Sequence, residues 1–135
     1  MDTVIDINNI SFREILDNLY DGVYLVDKDR KIVYWNKGAE RISGFSAEEV
    51  INHYCFENIL QHVDDYGTKL CTFGCPLHKT IQDGKLRNNS VYLHHKDGHR
   101  VPVVVRTTPL TDEKGETVGG IEIFTENPVF THRMT

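Results

Sequence analysis

The sequence predicts an α+β domain in which one five-stranded antiparallel sheet carries several short helices on one face. Two observations predict it. Runs rich in β-formers lie near both ends of the chain, and the stretch between them is interrupted by turn residues and helix caps. The length of 135 residues fits one domain, and the apolar fraction of 39% is ordinary for a globular protein.

A helix is predicted first, over residues 11–20, where Ser11 is placed to cap the first turn. Its apolar residues recur at helical spacing: Phe12, Ile15, Leu16 and Leu19. This stripe is too rich in apolar side chains for an isolated exposed helix. We therefore expect the helix to pack on the sheet or on a second copy of the chain, and we predict a homodimer that uses it.

A β-hairpin and two short helices are predicted next. GVYLVD and KIVYWN are β-rich runs joined by the polar turn DKDR. Asn36 begins a helix that ends at Gly44, the residue type favoured at a helix C-terminus. Ser46 and Glu49 have the spacing of a capping box, which predicts the start of a further helix.

Three strands are predicted at the C-terminal end of the chain. SVYLHHK alternates in polarity and stops at the turn Asp97-Gly98. HRVPVVVRTTPL is a long strand, TDEKGE turns the chain, and TVGGIEIFTE is the last strand. We expect the strand that starts near Gly22 to lie beside this last strand.

The stretch between residues 55 and 75 has no clear periodicity, but a helix is predicted directly after it. Pro76 is favoured at the first helical position, PLHKTIQDG follows, and Gly84 closes the helix. Cys75 therefore lies at a helix N-terminus, where unpaired N–H groups favour a thiolate over a thiol.

All three cysteines of the chain and one histidine fall in this stretch. Cys55, His62, Cys71 and Cys75 could supply three thiolates and an imidazole to zinc or to an iron–sulfur centre. Their spacing, C-x6-H-x8-C-x3-C, matches no common zinc motif. Two alternatives stay open: Cys55 packs in the core as a small apolar residue, or Cys71 and Cys75 form a redox-active thiol pair.

Charge and composition exclude several classes of function. The net charge of −5 and the lack of basic runs argue against a nucleic-acid partner. The longest apolar run is strand-sized, and the acidic N-terminus lacks the features of a signal peptide, so we expect a cytoplasmic protein with no membrane segment. No nucleophile elbow, HExxH or P-loop occurs, so the chain is not expected to be an enzyme.

Both halves of the chain resemble a PAS domain. ILDNLYDGVYLVDKDRKIVYWNKGAERISGFSAEEVIN is similar to the first half of that fold, and YLHHKDGHRVPVVVRTTPLTDEKGETVGGIEIFTE is similar to the second. We therefore expect an N-terminal extension over residues 1–10, a PAS sensory domain over 11–126, and a tail or linker over 127–135.

The resemblance implies a sensory module that dimerises and controls an attached output domain. The chain is most similar to PAS modules that precede GGDEF (diguanylate cyclase) domains in bacterial signalling proteins. Its signal would be a small ligand, or a redox or metal change at the cysteines. The alternatives are a dimerisation module without a ligand and a thiol-redox or electron-transfer protein, although no C-x2-C pair is present.

The resemblance also places a ligand pocket between the sheet and the helix after Cys75. In some PAS domains a histidine near this helix ligates haem, and His78 is the candidate here. Strand alternation puts His95 on the same face as Val91 and Leu93, and the aromatic side chains of Tyr34 and Tyr92 are expected to pack on the sheet. Pocket candidates are thus Cys75, His78, His95, Tyr92 and Tyr34, and the cofactor is none, zinc, an iron–sulfur centre or, less favoured, haem.

Overall fold

A computed structural model describes residues 7–55, 57, 59–70 and 74–127. A short 3-10 helix lies at Ile7–Asn9, and the α-helices are α1 (Phe12–Asp17), α2 (Lys37–Ser43), α3 (Ala47–Val50) and α4 (Pro76–Asp83). The strands are β1 (Gly22–Asp27), β2 (Ile32–Trp35), β3 (Arg87–His94), β4 (Arg100–Thr111) and β5 (Thr117–Glu126).

The strands form one five-stranded sheet in the order β2-β1-β5-β4-β3, and every pairing is antiparallel. This confirms the predicted α+β architecture. It also confirms that β1 lies beside the last strand, with Tyr24 directly opposite Glu122. The first and the last strand of the domain therefore lie side by side near the centre of the sheet.

The core lies between the inner face of the sheet and the segment that runs from α2 to α4. It contains aromatic and aliphatic side chains from all five strands together with α2, α3 and α4: Tyr24, Trp35, Phe124, Ile32, Ile42, Val50, Leu60, Leu77, Leu93 and Val103 are among them. In the part of the chain that the structure describes, the helix α1 does not contribute to this core. Its Phe12 ring packs against the ring of Tyr34, with 5.9 Å between ring centroids. Burial of these apolar side chains is the main source of stability for a domain of this size.

The α4 helix lies close against β5 because a glycine faces it. A Cβ atom at Gly120 would lie 2.7 Å from Leu77 Cδ1 and 3.1 Å from Ile81 Cγ1, which is closer than packed carbon atoms come. The missing side chain therefore lets the two apolar residues of α4 reach the sheet. This contact forms one wall of the site described below.

Two of the predicted helix caps are confirmed by hydrogen bonds. The Asn36 side chain accepts from the backbone N–H of Ala39 at the start of α2, and Ser46 accepts from Glu49 N–H at the start of α3. Gly44 and Gly84 end α2 and α4 with φ of 79° and 73°, the left-handed conformation that glycine adopts without strain.

The prediction for the first helix was wrong. The helix α1 is shorter than residues 11–20, and within the described part of the chain Ser11 makes no side-chain capping bond. The capping box is confirmed, because Ser46 accepts from Glu49 N–H and the Ser46 backbone N–H donates to the Glu49 carboxylate. That carboxylate also pairs with Lys96 on the β3–β4 turn.

Candidate functional site

A small cavity lies between the start of α4 and the inner face of the sheet. Its volume is about 10 Å³, which is room for one group the size of a water molecule. Its polar lining residues are Tyr24, Cys55, His62, Cys75 and Glu122, and its apolar lining residues are Leu70, Pro76, Leu77, Val91 and Val105. The polar residues come from β1, from β5 and from the aperiodic segment that ends at Cys75, the N-cap residue of α4.

The floor of the cavity carries a buried carboxylate. Glu122 is in the centre of β5, on the same face as Gly120 and Phe124, and only 3% of it is exposed. Its neighbours across the sheet are Tyr24 on β1 and Thr107 on β4. A charged residue is rarely this buried unless it is paired, so Glu122 needs a specific explanation.

The partners of Glu122 are an imidazole and a phenol. The Nε2 atom of His62 lies 3.4 Å from Oε2 of Glu122, and the Tyr24 hydroxyl donates to the carboxylate. Burial raises the pKa of Glu122, while His62 and the Tyr24 hydroxyl each lower it in part. Burial and the neighbouring carboxylate raise the pKa of Tyr24.

Despite this proximity, the imidazole and the carboxylate are not satisfied. Glu122 Oε2 and His62 Nε2 are both buried, and neither has a hydrogen-bond partner within the described residues. Their separation of 3.4 Å is long for a charge-assisted hydrogen bond. Two polar atoms therefore face the cavity with unused hydrogen-bonding capacity, which is uncommon in a folded protein.

Two cysteines complete the polar lining. Cys55 is buried and Cys75 is half-buried, and neither forms a disulfide bond within the described residues. As predicted, Cys75 is the N-cap residue of α4, with Pro76 in the first turn. Cys71, the remaining member of the predicted cluster, lies outside the described residues. Within residues 7–55, 57, 59–70 and 74–127, no three histidine, cysteine or acidic side chains are grouped to hold a metal ion.

Comparison with known protein families identifies the fold. A family model of the PAS fold matches residues 11–123. The chain belongs to the PAS family. The cavity of this PAS domain lies between its central sheet and the helix α4, where the sequence resemblance placed a pocket.

Several solved structures share the fold of this PAS domain. The PAS domain of a protein from Colwellia psychrerythraea is 22% identical, with a TM-score of 0.70 over 84% of this chain and 92% of that chain. The PAS domain of nitrogen regulation protein NR(II) from Vibrio parahaemolyticus is 20% identical, with a TM-score of 0.66 over 87% of this chain and 100% of that chain.

A third similar structure is a dimer of VqmA from Vibrio cholerae, which is 20% identical with a TM-score of 0.70. The match covers 88% of this PAS domain but only 52% of VqmA, so it spans about half of that protein. No curated protein has a significantly similar sequence.

Two of the predicted pocket residues, both tyrosines, lie away from the cavity of the PAS domain. Tyr34 faces α1, and its hydroxyl donates to Asp17 at 2.9 Å. Tyr92 lies on β3, at the edge of the sheet, where its backbone exchanges hydrogen bonds with Val63. Neither is among the residues that line the cavity.

The two predicted pocket histidines also lie outside the lining. His78 is half-buried on α4, and its Nδ1 atom has no hydrogen-bond partner in the described part of the protein. His95 follows β3, and its ring stacks on His99 with 4.3 Å between centroids. It also packs against Gly44, because a Cβ atom there would lie 2.6 Å from the imidazole.

The structure thus brings together Cys55, His62 and Cys75 of the predicted residues, and it adds Glu122, which the sequence analysis did not single out. The signal for Glu122 was present in the alternation of TVGGIEIFTE, where it shares a face with Phe124. In the described ranges, moreover, none of the helices has the length and apolarity needed to cross a membrane.

Proposed function

We propose that this PAS domain senses a small ligand in the cavity above Glu122 and controls an attached output domain, with a diguanylate cyclase as the candidate output. The observation that carries the proposal is the buried carboxylate, whose Oε2 atom faces the cavity without a hydrogen-bond partner in the described residues. A purely structural core would gain stability by replacing such a group with an apolar one. Retaining it is explained if a ligand completes its hydrogen bonds.

The position of Glu122 suits it to transmit a signal. It lies four residues before the end of β5 at Glu126, and this strand leads directly to the C-terminal side of the domain. Its neighbours in the sheet are Tyr24 and Thr107, so a change at the carboxylate acts on the three central strands. Such a change biases an output only if the ligand binds the two signalling states with different affinity.

In the full-length protein that carries this chain, Glu122→Gln is expected to change the rate of the output reaction by about fivefold or more, because coupling between sites is typically worth that much. For the proposed cyclase the measurement is conversion of GTP to cyclic di-GMP. Glu113→Gln is the matched control, since Glu113 is exposed in the β4–β5 turn. Equal rates for both variants and the unmodified protein would contradict a sensing role for the cavity.

The cysteines offer a second form of stimulus. Cys55, His62 and Cys75 line the same cavity, and we retain the proposal that they bind zinc or an iron–sulfur centre together with Cys71, or that Cys71 and Cys75 respond to oxidation. Thiolate and imidazole ligands suit these metals. Metal content and absorbance of protein purified without oxygen test this proposal, because iron–sulfur centres and haem are coloured whereas zinc is not.

A dimerisation module without a ligand is the second candidate function. It is favoured by the small volume of the cavity, about 10 Å³, and by the exposed apolar side chains of the N-terminal region. Phe12, Ile15 and Leu19 are 55%, 53% and 45% exposed, and together we call them the N-terminal stripe. Contiguous exposed apolar side chains are typical of an interaction surface.

We therefore propose that two copies of the chain pair through the N-terminal stripe. Ile15→Glu is expected to weaken the dimer at least about tenfold, because it would place a charge in an apolar interface. Analytical ultracentrifugation over a concentration series measures the dissociation constant. Tyr66→Glu is the control, since Tyr66 is 93% exposed and distant in sequence from α1. A protein that stays monomeric at high concentration, or an Ile15→Glu dimer of unchanged affinity, would contradict this interface.

A further inference from the structure

We propose that the cavity binds the protonated amino group of a small organic molecule, with the Glu122 carboxylate as its counter-charge. This inference rests on the proposed sensing role of the cavity and names the chemical class of its ligand. It follows from three properties of the lining: the hydrogen-bonding capacity of its polar atoms, its charge, and its size.

The polar atoms that face the cavity are mainly acceptors. Glu122 Oε2 has no hydrogen-bond donor in the described part of the chain, although only 3% of the residue is exposed. The unpartnered Nε2 of His62, which lies 3.4 Å from Glu122 Oε2, is a second acceptor in the tautomer that carries its proton on Nδ1. The Tyr24 hydroxyl donates a hydrogen bond to Glu122, which leaves the lone pairs of its oxygen available. A group with several N–H donors complements this arrangement.

The charge of the lining favours a cation. Among the residues that the structure describes, the lining contains one carboxylate and no lysine or arginine. The remaining titratable groups that face Glu122 are His62, Tyr24, Cys55 and Cys75. His62, whose Nε2 lies 3.4 Å from Glu122 Oε2, supplies a positive charge only when it is protonated, and a thiolate would add negative charge. A buried carboxylate without a counter-charge is costly. A ligand carboxylate or phosphate would raise that cost, whereas an ammonium group would offset it.

The size of the cavity suits a single ammonium group. About 10 Å³ of free volume accommodates one group the size of a water molecule, and an ammonium group is of similar size. The apolar side chains of Leu70, Leu77, Val91 and Val105 surround the rest of the cavity. A short alkyl substituent on the amine would lie against these side chains.

A metal ion is the competing cation, and the geometry favours the amine. Cys55, Cys75, His62 and Glu122 are all side chains that can ligate metals. Yet in the described ranges no three such side chains are close enough together to hold one ion. A metal needs a nearly complete shell of ligands at short distances, whereas an ammonium group needs only two or three hydrogen bonds.

The test is the thermal unfolding of the purified chain at pH 7.5 with methylammonium, ethylammonium and propylammonium chloride. We expect the primary ammonium ions to raise Tm by about 3 °C or more at saturation, because a ligand that binds only the folded state stabilises it. Sodium acetate, tetramethylammonium chloride and sodium chloride at the same concentrations control for charge, size and salt.

The matched variants are Glu122→Gln and Glu113→Gln. The first keeps the shape of the side chain but removes its charge, and it should weaken ammonium binding at least about tenfold, as expected for loss of a buried charge-assisted bond. The second should bind as the unmodified chain does. His62→Gln, which removes the imidazole acceptor, provides a further variant if Glu122→Gln fails to fold, and it should weaken binding about threefold or more.

Three outcomes would overturn the inference: no stabilisation by any primary ammonium ion, equal stabilisation by the control salts, or unchanged binding by the variants. Stabilisation by zinc chloride alone would also overturn it and assign the cavity to a metal. To separate this failure from failure of the sensing role, the neutral probes acetamide and acetone are tested in parallel by NMR. If they shift the amide signals of Tyr24 and Glu122 and the ammonium ions do not, the sensing site stands and only the ligand class is wrong.

Discussion

Replacing Asn36 with alanine is expected to lower the free energy of unfolding by about 3–5 kcal/mol, because it removes a buried side chain that makes four hydrogen bonds. The Asn36 oxygen accepts from the backbone N–H groups of Val23 and Ala39, both at 2.8 Å. Its amide nitrogen donates to the carbonyl groups of Leu16 at 2.7 Å and Asp21 at 3.1 Å. One side chain therefore connects the end of β2 and the start of α2 to β1, to α1 and to the segment after α1.

The loss exceeds that of a single hydrogen bond because the backbone groups of Val23 and Ala39 are also buried and would be left without their side-chain partner. Urea denaturation followed by circular dichroism measures the change. Asn89→Ala on the exposed edge of β3 is the control and should change stability by no more than about 0.5 kcal/mol. If Asn36→Ala and Asn89→Ala have the same stability, the Asn36 network does not hold these elements together.

Replacing Glu122 with glutamine is expected to make the domain more stable at pH 8, by about 1–3 kcal/mol, and to flatten the dependence of its stability on pH. Burial raises the pKa of Glu122 above its ordinary value of 4.5. Below that ordinary value the carboxyl group is neutral in both folded and unfolded protein, so it carries no penalty. As the pH rises from that value towards the raised pKa of Glu122 in the folded protein, the unfolded state loses its proton more readily than the folded state does. The free energy of unfolding therefore falls.

The measurement is the free energy of unfolding of both proteins from pH 4 to pH 8. Glutamine is neutral throughout, so the difference between the variant and the unmodified protein should be small at pH 4 and grow as the pH rises. Glu113→Gln should show no such trend, because Glu113 is exposed. A difference that shrinks with rising pH would mean that the pair of Glu122 with His62 stabilises the ionised carboxylate, and that the net effect of burial has the opposite sign.

Much of the fold could be predicted because its signals are local. Asn36 and Ser46 cap helices through bonds to residues three positions later, and Gly44 and Gly84 end helices through a conformation that their lack of a side chain permits. The turn at Asp97-Gly98 similarly follows from the two residues that form it. These features depend on a few consecutive residues, so the sequence contains all the information they need.

What the sequence did not predict depends on contacts between distant residues. The Glu49 carboxylate returns to the Ser46 N–H, as its spacing predicts, but it also pairs with Lys96, which is 47 residues away. The predicted helix over residues 11–20 ends at Asp17, whose carboxylate accepts from the Tyr34 hydroxyl on β2. Capping bonds and exposed ion pairs each contribute little energy, so the tertiary arrangement decides which of the distant contacts form.

The candidate site was likewise predicted in part from the sequence and decided in part by tertiary packing. The sequence indicated Cys75 at a helix N-terminus, and it grouped Cys55 and His62 with Cys75 by their proximity along the chain. It did not indicate that these residues would lie above Glu122, nor that His78 and His95 would lie outside the cavity. Proximity along the chain is visible in a sequence, whereas contact between α4 and β5 depends on how the helix packs.

By itself, then, the sequence determined the order of helices and strands and the antiparallel sheet, because periodicity, caps and turns are properties of short segments. The family was indicated by the resemblance of both halves of the chain to a PAS domain. Only the tertiary structure decided which face of β5 is interior. Alternation in TVGGIEIFTE places Ile121 and Ile123 on one face of the strand and Gly120, Glu122 and Phe124 on the other. Alternation alone allows either face to point inwards. The second is buried because Gly120 leaves space for α4 to approach, and this packing places a carboxylate inside the protein.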